Sequence, residues 1–148
     1  VGFSVAALEQ LKGIAASQVK NGKPLAEDPS FAARMARVEI DLENMKTTNL
    51  RVIAAVAGGG VPGAESSMLK IRGTEIRQEI SSLARRAMGV YGRPFVEEAL
   101  HDGFDGETFG PAYASAAAAR YFNNRKLSIF GGSNEIQKNI ISKMILGL

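Results

Sequence analysis

Gly131-Gly132-Ser133-Asn134-Glu135 sets two glycines, a hydroxyl, an amide and a carboxyl side by side, just before Ile136, Ile140 and Met144 recur at helical spacing. A loop that opens into a helix in this way has chemical use. The N–H groups of a first helical turn lack intrahelical partners and carry partial positive charge, so a carbonyl or an anion can be held there. Glycine at 131 and 132 lets the backbone approach closely or take positive φ, and Ser133 suits the N-cap. The same residues also read as a capped C-terminal helix after a glycine turn. Upstream, Arg120, Arg125 and Lys126 bring positive charge toward the turn and Tyr121-Phe122 brings aromatic surface. That set fits a cationic helix end with a core anchor, and equally a contribution to binding an anionic ligand.

Composition removes several other chemistries. With no cysteine there are no disulfides or thiolate metal sites, and His101 alone builds neither a histidine metal centre nor a cysteine–histidine pair. The formal charge of +3 is dispersed, which argues against nucleic acid and is compatible with a small polyanion such as a nucleotide cofactor. Every apolar run is interrupted by charge or glycine, so no membrane span is expected. Gly58-Gly59-Gly60 lacks the strand before it and the Gly-Lys-Ser/Thr after it that a phosphate loop needs. The acids of His101-Asp102-Gly103-Phe104-Asp105-Gly106-Glu107 do not keep calcium-loop spacing, and the segment reads as a polar excursion between helices.

The elements that must position the glycine turn are helical. Leu8, Leu11, Ile14 or Ala15, and Val19 predict an inward face for a helix from Phe3 to about Lys20, stopped by Asn21-Gly22 and Pro24. Asp28-Pro29-Ser30 starts a second helix, in which Phe31, Met35, Val38, Leu42, Met45, Val52 and Val56 make a bundle seam. Its other face, with Arg34, Arg37, Glu39, Asp41, Glu43 and Lys46, reads as solvated surface. A third helix is expected from Ala64 to Met88, with Leu69, Ile76, Ile80, Leu83 and Ala87 inward and Gly73 on the seam. Pro111 opens a fourth, continuing from Ala112 to Phe122 through an alanine run suited to close packing. With no clear strand alternation, the fold class is all-α: an up-and-down four-helix bundle with an additional short C-terminal helix.

Gly131-Gly132-Ser133-Asn134-Glu135-Ile136-Gln137-Lys138 resembles the signature near the C-terminus of the acyl-CoA dehydrogenases, a tyrosine-glutamate-glycine-threonine turn followed by a helix that begins near an isoleucine-glutamine pair. Phe130 stands for the tyrosine, Gly132 for the glycine and Ser133 for the threonine. The resemblance implies that residues 1–148 are the C-terminal helical domain of such an enzyme, part of a longer chain in which an N-terminal helical domain and a β domain come first. It implies FAD as cofactor, an acyl-CoA thioester as substrate, an electron-transfer flavoprotein as electron acceptor, and a homo-oligomer joined through the bundle. Ser133, Asn134, Glu135, Arg86 and Gly89 would contact the flavin, and Gly132 and Lys143 the substrate.

Where the best-known members carry the catalytic glutamate, this chain has Gly131. The resemblance is therefore to the branch, including isovaleryl- and long-chain types, that takes the base from an earlier helix, at a place that would precede Val1. No metal ligand is implied. Arg86 replaces a glutamine and Val90 a glycine in the segment that would lie against the ADP half of the flavin, while Gly89 and Gly92 fit. Gln18, Lys20 and Asn21 take the arginine, threonine and phenylalanine places of a segment that reaches a neighbouring subunit's flavin, and Gly22 matches its glycine. The implied compartment is the bacterial cytoplasm, or the mitochondrial matrix in a eukaryote. The alternative expectation is a non-catalytic helical oligomerisation bundle, or a dehydrogenase homologue without activity.

Overall fold

In the computed structural model, which describes residues 1–147, the chain is an all-α bundle built from five helices. Helix α1 spans Gly2–Ser17, α2 Pro29–Ala57, α3 Glu65–Ala87, α4 Ala117–Asn123 and α5 Asn134–Leu146. Helix α3 is the central member and packs against each of the other four.

The core follows the apolar spacing. Leu8, Leu11, Ile14 and Ala15 of α1 meet Phe31, Val38, Leu42 and Met45 of α2 and Ile76, Ile80, Leu83 and Ala87 of α3. Leu11, Leu42 and Leu83 are the largest side chains sealed from solvent. Ion pairs tie the helices at the surface of this core: Lys12 to Glu39 at 2.6 Å, Arg72 to Asp41 at 2.6 Å, and Arg34 to Glu79. Asp28 caps α2 by accepting from the N–H of Phe31 at 3.0 Å, with Pro29 at the first helical position.

Three local expectations give way. Helix α1 ends at Ser17, so Val19 lies outside it and is 69% exposed. The chain there forms a two-stranded antiparallel hairpin, β1 (Val19–Lys20) with β2 (Lys23–Pro24), around Asn21 at φ 53° and Gly22 at φ 77°. Positive φ at both central residues is what a type I′ hairpin requires, and Asn-Gly supplies it. The seam of α2 also ends earlier than its periodicity: beyond Met45, Val52 is only half-buried and Val56 is exposed, because the last turns run past the neighbouring helices.

The fourth helix is broken into pieces. A 3₁₀ turn at Ala112–Ala114 precedes α4, and a second at Asn124–Ser128 follows it. The alanines at 116 to 119 are all buried, as small side chains in a close crossing would be. In α5, Ile136, Ile140 and Met144 do share a face, but it points outward; Asn134, Gln137, Ile141 and Ser142 are the half-buried ones. No described helix is long and apolar enough to cross a membrane.

Candidate functional site

Polar groups of α3 hold the glycine turn in place. Lys70 Nζ donates to Asn134 Oδ1 at 3.0 Å, fixing the start of α5. One turn on, the Thr74 hydroxyl donates to the Lys70 carbonyl at 2.9 Å and lies 3.3 Å from the Leu127 carbonyl. A further turn on, Gln78 Nε2 donates to the carbonyls of Asn124 and Arg125 at 3.1 and 3.3 Å. Residues 70, 74 and 78 lie at the i, i+4, i+8 spacing of one helix face, so the row runs along α3 antiparallel to the strip of chain it grips.

The turn itself needs its glycines. Gly131 and Gly132 have φ of 70° and 81°. A Cβ at 132 would come within 2.6 Å of Gln137 Nε2, whereas a Cβ at 131 would meet nothing within 4 Å. Gln137 Nε2 closes the loop by donating to the Gly131 carbonyl at 3.4 Å. Ser133 then caps α5, its hydroxyl accepting from the Ile136 N–H at 3.3 Å.

Glu135 sits in the first turn of α5, where its carboxyl is held below the usual carboxylate range. Its own backbone N–H is the main cause, followed by the Ser133 hydroxyl, with Lys138 and Lys70 adding favourable charge. A carboxylate kept ionised in this way is suited to accepting hydrogen bonds and is a weak proton acceptor.

A cavity of about 460 Å³ opens beside the turn. Gly131 and Phe130 form one wall; Val1 and Ser4 of the start of α1, with Lys70, Thr74 and Arg77 of α3, form others. Gly73 also lines it, and a Cβ there would reach Met45 Sδ at an ordinary 3.5 Å. Its missing side chain thus leaves space in the cavity, a place at which its seam position is equally compatible with a packing or a ligand reason. The cavity has two basic side chains and two hydroxyls on apolar walls, a combination that can hold a carbonyl or an anion beside an apolar chain.

The expected site residues fall into separate groups. Gly131, Gly132, Ser133, Asn134 and Glu135 lie together at the turn. Arg86 and Gly89 lie sixteen and more residues along from Lys70, about 24 Å at helical rise. There they line a second cavity, of about 290 Å³, together with Gln18 and Lys20 of the hairpin region. Lys143 is exposed near the end of α5, about 13 Å from Asn134 along the helix, and does not line the cavity beside Gly131. The cavity residues that sequence reading left out are Lys70, Thr74 and Arg77. Their signal was the row of polar residues on α3, interrupting an otherwise apolar inward pattern.

The family model for the C-terminal domain of acyl-CoA dehydrogenases matches residues 1–146. Among curated protein sequences none matches the chain. Solved structures with the same fold include the prolyl acyl carrier protein oxidase AnaB, with TM-score 0.76 and 20% identity over 99% of this chain and 34% of that one. The acyl-CoA dehydrogenase of Geobacillus kaustophilus has TM-score 0.72 and 23% identity over 98% of this chain and 33% of that one. The butyryl-CoA dehydrogenase of Megasphaera elsdenii has TM-score 0.72 and 18% identity, with the same two shares of 98% and 33%. The chain thus spans about a third of the length of the solved structures it matches.

Proposed function

The chain belongs to the acyl-CoA dehydrogenase family, matching its C-terminal domain, and from that premise we propose that it supplies part of the flavin and thioester site of an FAD-dependent acyl-CoA dehydrogenase. The reaction would be α,β-dehydrogenation of an acyl-CoA thioester: a carboxylate would take the α-proton, and FAD, when bound, would supply the hydride-accepting chemistry, with an electron-transfer flavoprotein as electron acceptor. Flavin contact falls to Ser133, Asn134 and Glu135, and thioester contact to Gly132.

The observation that carries this reading is the shared cavity of Val1, Ser4 and Gly131. The glycine turn has no group able to take a proton at 131, and Glu135 is held ionised by its helix start. The start of α1 faces the same space. That shared space supports the reading in which the base is a carboxylate upstream of Val1 on the same helix. Lys70 and Arg77 supply positive charge along the wall, favouring the anionic character that develops on the thioester as the proton leaves.

The distance of Arg86 and Gly89 from the turn supports a second part of the proposal. In it, the cavity of Gln18, Lys20, Arg86 and Gly89 takes the ADP half of a flavin, and the assembly is a homo-oligomer joined through the bundle. Lys143 contributes charge toward the CoA portion from the far end of α5, and the compartment is that of soluble acyl-CoA metabolism, bacterial cytoplasm or mitochondrial matrix.

The test is absorbance in the flavin bands of the full-length protein carrying this domain, followed by anaerobic addition of a panel of acyl-CoAs. Bleaching is expected, with the most effective acyl-CoA identifying the substrate. Bound flavin that no thioester bleaches favours the homologue without activity, and absence of flavin removes the proposal.

A further inference from the structure

Arg85, on the last turn of α3, and Arg125, in the 3₁₀ turn after α4, converge on one aromatic ring. Each guanidinium carbon lies 4.6 Å from the centroid of Tyr121, so the two cations are no more than twice that distance apart. All three side chains are half-buried. Among the described residues neither arginine has a carboxylate partner, although seven ion pairs form elsewhere on the surface. Both Nε atoms are sealed from solvent and have no hydrogen-bond acceptor.

Two like charges placed this close, with reduced access to water, repel one another and lose hydration. The tyrosine face offsets part of that cost, but it leaves the net charge in place. The fold nevertheless spends several contacts on holding the pair. Arg125 Nη2 donates to the Gln78 carbonyl at 3.1 Å, and Gln78 Nε2 returns a bond to the Arg125 carbonyl at 3.3 Å. The chain passes so close to Arg85 that a Cβ at Gly92 would stand 2.5 Å from the Arg85 carbonyl oxygen and 3.3 Å from its Cγ. Arg125 is therefore fixed through Gln78, the chain packs against the backbone and Cγ of Arg85, and among the described residues neither guanidinium makes any other hydrogen bond.

We propose that Arg85, Tyr121 and Arg125 form an oxyanion site whose ligand is a phosphate-type dianion, either free or as the terminal phosphate of a nucleotide. Planar guanidinium forks match phosphate oxygens, and a dianion neutralises both arginines where a carboxylate would neutralise one. The site is independent of the flavin contacts assigned above. Arg86, the next residue along, lies instead on the cavity shared with Gln18 and Lys20.

The test is calorimetric titration of the full chain at low salt with inorganic phosphate, ADP and acetate in turn. Phosphate or ADP binding that weakens with added salt is expected; ADP binding without phosphate binding assigns the nucleotide source only where the Arg85 and Arg125 variants weaken it, and ADP binding that they leave unchanged reports the cavity of Gln18, Lys20, Arg86 and Gly89 and counts against the proposal. Arg85→Gln and Arg125→Gln should each weaken the binding about tenfold or more, while Arg37→Gln, an exposed arginine on α2, should leave it unchanged. If Arg85→Gln does not fold, Arg85→Lys keeps the charge without the fork and should bind with intermediate affinity. No binding of either phosphate species, acetate binding as tightly as phosphate, or wild-type affinity in the Arg85 and Arg125 variants would overturn the proposal.

Discussion

The α1–α3 core and the turn leading into α5 are held by different forces. In the first, three leucines from three helices are sealed from solvent and surrounded by other buried apolar side chains. In the second, no residue of α5 is fully buried, and the attachment to α3 runs through Lys70, Thr74 and Gln78. Apolar burial is strong but indifferent to direction, whereas each hydrogen bond fixes a particular atom at a particular distance. A bundle that must keep a turn beside a cavity gains its cohesion from one region and its placement from the other.

The contrast can be broken most forcefully at Leu83, which is 0% exposed. Leu83→Ala should lower global stability by about 3 kcal/mol, measured by urea unfolding, and every helix should lose protection together. Ser133→Ala should cost about 1 kcal/mol and show itself locally. Amide exchange is expected to accelerate in α5 and stay unchanged in α1 to α3. Global loss in the second variant would mean that the turn belongs to the core after all.

The smallest effect concerns Asp28, a polar clasp at the edge of the apolar region. The hydrogen bond it accepts from Lys20, and then the one from the Phe31 N–H, hold its carboxyl below its ordinary value of 3.8. A depressed carboxylate contributes stability that is fully present above its unfolded-state pKa and is lost as pH falls through the lower, folded one. The urea midpoint should therefore drop as the solution is acidified below about pH 4, and Asp28→Asn should flatten that part of the profile. An unchanged profile in Asp28→Asn would place the acid sensitivity elsewhere.

Most of the bundle was legible because burial leaves a period in the sequence: Leu8, Leu11, Ile14, Phe31, Val38, Ile76, Ile80 and Leu83 all stand where their spacing put them. Period alone cannot tell an inward stripe from an outward one: it put Ile136, Ile140 and Met144 on one face of α5, and the structure turns that face outward while the Asn134 amide meets Lys70 of α3. Asn21-Gly22 carried two meanings, a helix stop and a hairpin turn, and the pairing of Lys20 with Lys23 decided for the second. The turn at Gly131 to Glu135 was visible as a glycine pair followed by a cap. Its cavity was not, because Lys70, Thr74 and Arg77 come from more than fifty residues earlier and join it only when α3 lies alongside.

The open space at Gly131 bears on where a proton acceptor can stand. A Cβ there would meet no neighbour within 4 Å and would carry the strain of a positive φ, about 1–2 kcal/mol. The start of α1 borders the same cavity. On the function proposed above, a proton-accepting group could therefore stand on either wall without the bundle being rebuilt around it.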